Sequence, residues 1–268
     1  MATRIRCNGV ELAVDDTGGA KPTVLLSHGL LYSRRMWDAQ IAAMRGRFRC
    51  VAYDHRGQGE SEPLRSGLDM DTLSEDAVAL IGALGIAPVH FVGMSMGGFV
   101  GVRIAARRPE LVRSLTLIDT AAGPEPRASV VRYRMMKWVA RWIGVWPVID
   151  RVMAIMHGKS ARSDPARTGE LRRWREHLLA LDRIVTPEVL EGILRRQGVF
   201  PLLPRIRCPT LVMVGEEDTA TVPARSVEIA SAIPGARLVR IPRAGHMSPI
   251  DAPEAVSSEL GRFLDAQG

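Results

Sequence analysis

The sequence predicts an α/β protein with a largely parallel sheet, interrupted once by an all-helical insertion. Three observations predict it. β-Rich runs of strand length alternate with longer amphipathic patterns, the alternation fails over residues 122–206, and the side chains best suited to chemistry fall just beyond the ends of strand runs.

In chain order, Thr23-Val24-Leu25-Leu26 ends at Ser27-His28-Gly29, and Arg49-Cys50-Val51-Ala52-Tyr53 ends at Asp54. Residues 70–84 then carry Leu73, Ala77, Leu80, Ile81 and Leu84 on one helical face. Val89-His90-Phe91-Val92 runs into Gly93, a helical pattern follows over 96–108, and Leu115-Thr116-Leu117-Ile118 ends at Asp119. After the insertion come Thr210-Leu211-Val212-Met213-Val214, ending at Gly215, and Arg237-Leu238-Val239-Arg240-Ile241, ending at Pro242; a helix over 252–264 closes the chain. Within 122–206 the patterns are helical only, over 129–143, 168–181 and 187–196, punctuated by Pro147, Pro165, Pro187, Pro201 and Pro204. Such an insertion is expected to cap the carboxyl edge of the sheet, where ligands bind in open α/β folds. The expected division is therefore a core of residues 1–121 and 207–268 with a cap of residues 122–206.

Composition narrows the function classes. With 268 residues, 46% apolar and 24% charged, the chain can bury one large core. No apolar run approaches the roughly 20 residues of a membrane span. The opening residues lack the apolar stretch of a secretory signal, and Cys7, Cys50 and Cys208 have neither disulfide nor metal spacing. A reducing cytoplasm is the expected location. The net charge of +7 is carried by 33 Arg and 3 Lys against 29 acids, and all of the excess lies in 122–206, at +8, while the remainder is −1. Arg172-Arg173-Trp174-Arg175 concentrates it. A solvated, arginine-biased surface is the plain reading; the sharper one is attraction of an anionic substrate, an acidic carrier protein or a lipid headgroup. Nucleic acid is not expected, since no groove-reading element is evident.

Gly93-Met94-Ser95-Met96-Gly97 matches G-x-S-x-G. Composition alone yields roughly 0.13 such matches per chain, so its weight comes from context: a β-rich run before it and a helical pattern after it. Glycines allow the sharp turn and close packing, and the helix amino terminus beneath Ser95 favours negative charge. A serine hydroxyl needs a base. His246, in Gly245-His246-Met247-Ser248-Pro249, follows the last strand run, and Asp218, in Gly215-Glu216-Glu217-Asp218, follows the one before. All three sit at strand carboxyl ends in the order Ser, Asp, His. Donors for a developing oxyanion are expected from the backbone N–H groups of Met96 and of Leu30, in the loop after the first strand run. Asp119 is the rival acid.

These residues resemble the α/β-hydrolase superfamily over essentially the whole chain. The match rests on His28-Gly29, on Asp54-His55-Arg56-Gly57-Gln58-Gly59-Glu60-Ser61, on Gly93-Met94-Ser95-Met96-Gly97-Gly98, and on Gly215…Asp218…Pro223 followed by Gly245-His246. The resemblance implies a sheet of eight strands, and Ser95, Asp218 and His246 as a catalytic triad. Its look is that of small esterases, enol-lactonases and cofactor-free haloperoxidases. Perhydrolase relatives often carry Pro where this chain has Leu31, and dehalogenases and epoxide hydrolases place Asp at the elbow. The expected activity is hydrolysis of a carboxylic ester or lactone through an acyl-enzyme, with no cofactor and no metal. The alternatives are an enol-lactonase or C–C bond hydrolase using the same residues, a haloperoxidase or perhydrolase, and a non-catalytic binding protein.

Other residues are given structural roles. Asp54 and Arg56 are expected to hold their loop and each other, and His28 to brace the oxyanion loop. His55, His90, His157 and His177 carry no partner pattern, so ordinary polar or surface roles are expected. Met135, Trp138 and Trp142 share one helical face and are expected to pack.

Overall fold

Strands that are covered on both faces read as continuous apolar runs, and three of the strands here, over Thr23–Ser27, Val89–Met94 and Thr210–Gly215, are buried at every residue. The computed structural model describes residues 3–267. Eight strands form one sheet: β1 (Thr3–Cys7), β2 (Val10–Asp16), β3 (Thr23–Ser27), β4 (Arg49–Tyr53), β5 (Val89–Met94), β6 (Val112–Ile118), β7 (Thr210–Gly215) and β8 (Arg237–Ile241). Their spatial order is β1-β2-β4-β3-β5-β6-β7-β8, parallel from β4 to β8, with β2 antiparallel to both β1 and β4. The β1–β2 hairpin turns at Asn8 and Gly9, both at positive φ (45° and 73°), the pair preferred in two-residue hairpin turns.

The helices are α1 (Asp38–Met44), α2 (Met70–Leu84), α3 (Met96–Arg107), α4 (Arg127–Trp142), α5 (Ile149–Met156), α6 (Lys159–Ser163), α7 (Thr168–Leu179), α8 (Val185–Leu194), α9 (Pro223–Ala232), α10 (Ser248–Asp251) and α11 (Pro253–Asp265). Asp69 caps α2 by accepting from the N–H groups of Asp71 and Thr72, and Leu73, Ala77, Leu80 and Ile81 of its apolar face are fully buried. Alternation along the strands sends Leu25 and Phe91 to the core beneath α2 and α3, and Leu26 and Val92 to the core beneath α11. Each such burial contributes about 1.5–3 kcal/mol before entropy is counted. Among the described residues, no helix is long and apolar enough to cross a membrane.

Helices α4 to α8 form the segment between β6 and β7, which holds no strand among the described residues. The expected packing of Met135, Trp138 and Trp142 is not found. They are 67%, 60% and 68% exposed, Trp146 is 65% exposed, and α4 has no buried residue. The reason is positional: Tyr133, Met136, Lys137 and Ala140, on the opposite face of α4, line a cavity instead of a solid core. The helix is therefore a thin wall, and the stripe points outward. The loop after β4 also differs from expectation. Asp54 pairs with Arg34 and accepts from Arg34 and Glu60 N–H, whereas Arg56 pairs with Asp76 through Nε at 2.5 Å. Each braces the loop, but to separate partners.

Candidate active site

The site begins with the turn between β5 and α3. Ser95 has φ 51° and ψ −109°, a strained conformation for a residue with a side chain. Its backbone is pinned from both sides. The N–H donates to Ile118 O at 2.9 Å, and the carbonyl accepts from Gly98 N, Phe99 N and the Thr120 hydroxyl. The flanking glycines are required for close approach: a Cβ on Gly93 would run into the Gly97 carbonyl, and one on Gly97 into the Ser27 carbonyl.

His246 follows β8 and Asp218 follows β7. His246 Nε2 lies 3.0 Å from Ser95 Oγ, and Nδ1 lies 2.9 Å from Asp218 Oδ2. An ionised carboxylate only accepts, so Nδ1 carries the proton and the Nε2 lone pair faces the serine hydroxyl. Asp218 is held by the N–H groups of Ala220 and Thr221 on Oδ1 and by the Thr221 hydroxyl on Oδ2. Burial pushes the His246 imidazole down, but the charges of Asp218, Asp119 and Asp251 outweigh it and hold the group above its ordinary value.

Asp119 occupies the neighbouring place but faces other donors. Its Oδ1 accepts from Gly215 N, and its Oδ2 from Ser248 N and, at 2.5 Å, from the Ser248 hydroxyl. Burial, together with the nearby Asp218 charge, raises its carboxyl to about 8. Asp119 thus ties the strand ends of β6 and β7 to the turn after His246.

The loop after β3 approaches from the other side, with Leu30 lining the same cavity as Ser95 and His246. Met96 is the first residue of α3, where backbone N–H groups lack intrahelical acceptors. His28 braces this loop. Its Nε2 accepts from His55 N at 3.0 Å, so Nδ1 carries the proton donated to Gly29 O at 2.7 Å. Burial lowers the His28 pKa, consistent with that neutral form. Gln58 Oε1 accepts from Leu31 N at 3.2 Å and His177 Nε2 lies 3.1 Å from Leu31 O, so both polar backbone groups of Leu31, itself at φ 71°, are held.

The cavity above Ser95 has a volume of about 150 Å³ and is walled mainly by apolar side chains, among them Met136, Val152, Met156, Leu178, Leu190 and Ile193. Its helical wall is stitched to the loops bearing Asp218 and His246. Glu217 accepts from Ser160 N and Oγ, and Asp251 accepts from Gly158 N, Gly245 N and His157 Nδ1. His157 Nε2 is in turn 2.9 Å from the Tyr32 hydroxyl. Thr221, His157 and Asp251 carry no motif of their own, and Gln58 lies in the Asp54–Ser61 motif without any sign there of its partner. Gln58 and Leu31 are 27 residues apart and His157 and Asp251 are 94 apart, so only the fold brings them together. His55 bonds Ser27 Oγ and His90 bonds Ser114 Oγ; of the four unassigned histidines, His55, His90 and His157 are buried and His177 is half-buried. The basic stretch on α7 is partly neutralised, Arg173 by Glu170 and Arg175 by Asp150. Among the described residues, no group of three or more His, Cys, Asp or Glu is placed to hold a metal ion.

Residues 24–259 match the model of the alpha/beta hydrolase family. The chain is 32% identical over 259 residues to the Pseudomonas savastanoi protein named "Putative carbamate hydrolase RutD", covering 92% of this chain and 95% of that one. Among solved structures it resembles the enol-lactonase of Burkholderia xenovorans, at TM-score 0.91 and 31% identity, over 98% of this chain and 100% of that one. It also resembles a thermophilic esterase from Thermogutta terrifontis, at TM-score 0.90 and 29% identity, over 99% of each chain.

Proposed function

The chain belongs to the α/β-hydrolase family, and from that premise we propose that it cleaves a carboxylic ester or lactone through an acyl-enzyme on Ser95. The observation that carries this reading is the hydrogen-bonded chain Ser95–His246–Asp218 at the floor of an apolar cavity. Ser95 Oγ attacks the carbonyl carbon as its proton passes to His246 Nε2, and the negative charge formed on the carbonyl oxygen is received by the N–H groups of Leu30 and Met96. Asp218 stabilises the imidazolium and fixes its tautomer. That imidazolium gives its proton to the departing alkoxide. His246 then takes a proton from water as the water attacks the acyl carbon, and collapse of the second intermediate returns the proton to Ser95 and releases the acid.

In this reading residues 1–121 and 207–268 are the catalytic core and 122–206 the cap that excludes water and sizes the acyl group. A small-molecule substrate, a cytoplasmic setting and independence of any cofactor belong to the same proposal. Lactones are favoured beside open esters by the likeness to the enol-lactonase. Perhydrolysis is disfavoured, because the φ of 71° at Leu31 is one a proline ring cannot adopt, so this loop differs in backbone from relatives with Pro there.

The test is covalent labelling with a fluorophosphonate, followed by turnover on p-nitrophenyl esters of graded acyl length and on a lactone panel. Labelling at Ser95 with turnover of an apolar ester or lactone is expected. Absence of labelling would reduce the chain to a binding protein, and peroxide-dependent halogenation in place of hydrolysis would move it to the haloperoxidases.

A further inference from the structure

The outward face of α4 is unlike the rest of the surface. Val131, Met135, Trp138 and Trp142 stand at i, i+4, i+7 and i+11, within an arc of about 60° on an α-helix. All four are at least 60% exposed, and Trp146 and Ile143 extend the patch past the helix end. Three of the chain's five tryptophans lie here. Arg127, Arg134 and Arg141 flank the stripe on one side and Arg132 on the other, and α4 contains no Asp or Glu. Arg141 sits over the Trp142 ring at 5.7 Å, and Arg132 over the Tyr133 ring at 4.8 Å.

We propose that this face of α4 docks on the surface of an anionic lipid bilayer, with the tryptophans and Met135 in the headgroup–acyl boundary and the arginines against lipid phosphates. Charge complementarity selects that occupant. Self-association through the stripe would set a helix with five basic and no acidic residues against its own copy; Arg134 and Lys137 are paired with Glu191 of α8, whereas Arg127, Arg132 and Arg141 are left for an anionic leaflet to attract. A basic helix with an exposed Trp-rich apolar face has the composition of segments that lie in a membrane interface without spanning it. The placement has a use. Tyr133, Met136 and Ala140, on the inner face of the same helix, line the cavity that contains Ser95, so docking would put one helix diameter, about 10–12 Å, between bilayer and cavity.

The experiment is co-flotation of the full chain with vesicles of phosphatidylcholine alone and with about 30% phosphatidylglycerol, read together with tryptophan emission. The expected result is flotation and a blue shift with the anionic vesicles only, weakened roughly tenfold or more by added salt. Trp138→Ser with Trp142→Ser should abolish flotation, and Arg127→Gln with Arg132→Gln should weaken it. Both variants should label with fluorophosphonate as the parent does, since none of these residues lines the cavity; labelling failure in the parent would count against the proposed chemistry and leave the lipid result readable. Absence of flotation, or equal flotation with neutral vesicles, overturns the proposal. So does a concentration-dependent dimer that the tryptophan variant dissolves in the absence of flotation, which would assign the face to a second copy.

Discussion

The floor of the cavity and its α4 wall are built to opposite rules. On the floor, Ser95, Asp119, Asp218 and His246 are buried or half-buried, and each is fixed by two or more hydrogen bonds to strand ends and turns. The α4 wall buries no residue and meets the cavity through Met136, Ala140 and Tyr133. A bonded constellation loses its geometry when one member changes, while a thin apolar wall can change its contour and keep the fold. On the proposed function, the comparison assigns reaction type to the floor and substrate choice to the wall.

The sharpest way to break that contrast is at the floor. Ser95→Ala and His246→Ala should each lower ester turnover by roughly 10⁴–10⁶, with melting temperature nearly unchanged. Single-turnover rates and thermal scans on the purified variants check this, and substantial activity in Ser95→Ala would refute the mechanism.

Next in size is the choice between the two acids. Asp218→Asn should cost roughly 10³–10⁴ in kcat, because an amide no longer enforces the tautomer. In the proposed mechanism neutral His246 is the competent base, and its raised pKa means that kcat/KM should climb with pH through a value above the ordinary histidine figure of about 6.5. Removing the Asp218 charge takes away support for the protonated form, so residual activity in Asp218→Asn should survive to lower pH. Asp119→Asn should instead act on stability, since its amide nitrogen would face the Gly215 or Ser248 donors. If Asp119→Asn abolished turnover and Asp218→Asn spared it, the acid would be Asp119.

A third test strains the backbone. Gly97→Ala drives a methyl into the Ser27 carbonyl, and neither strand nor helix has room to yield. A loss of about 1–3 kcal/mol or more in urea unfolding is expected, accompanied by loss of activity.

The smallest effect belongs to the wall. Met136→Ala should shift acyl-length preference by about tenfold or less and leave stability within about 1 kcal/mol, because Met136 is only half-buried. A loss as large as that of Asp218→Asn would erase the distinction between wall and floor.

The same division governs what is legible in the primary structure. Strands β3 to β7 are readable because central parallel strands are largely apolar. The edge strand β8, with exposed Arg237 and Arg240, is readable only through β-rich Leu238, Val239 and Ile241. Ser95, Asp218 and His246 are readable because each follows one of these runs. The β1–β2 hairpin is harder to read. β1 is an exposed edge with Arg4 and Arg6 in it, and only Asn8-Gly9 marks the turn. Helices α5 and α6 are short and lie among prolines, below the length at which periodicity speaks. The direction of the α4 stripe could not be read at all, since periodicity shows that a helix has an apolar face but not whether a core or a cavity lies behind the other one. The pairings Arg34–Asp54, Leu31–Gln58 and His157–Asp251 join residues 20, 27 and 94 positions apart.

One short junction constrains how such a molecule can diversify. Backbone at Gly158 touches backbone at Gly245, one residue before His246, and both N–H groups end on the Asp251 carboxylate at 2.8 Å, while Ser160 is bonded to Glu217, one residue before Asp218. A recombination that exchanged residues 123–156 would replace the α4 wall and leave this junction untouched. One that ran on through 157–160 would import a foreign partner for both Asp251 and Glu217, and would misplace His246 and Asp218 together. Inheritance of new wall sequences should therefore break before His157, and chimeras joined on either side of that point offer a direct measure of how sharply the fold enforces the boundary.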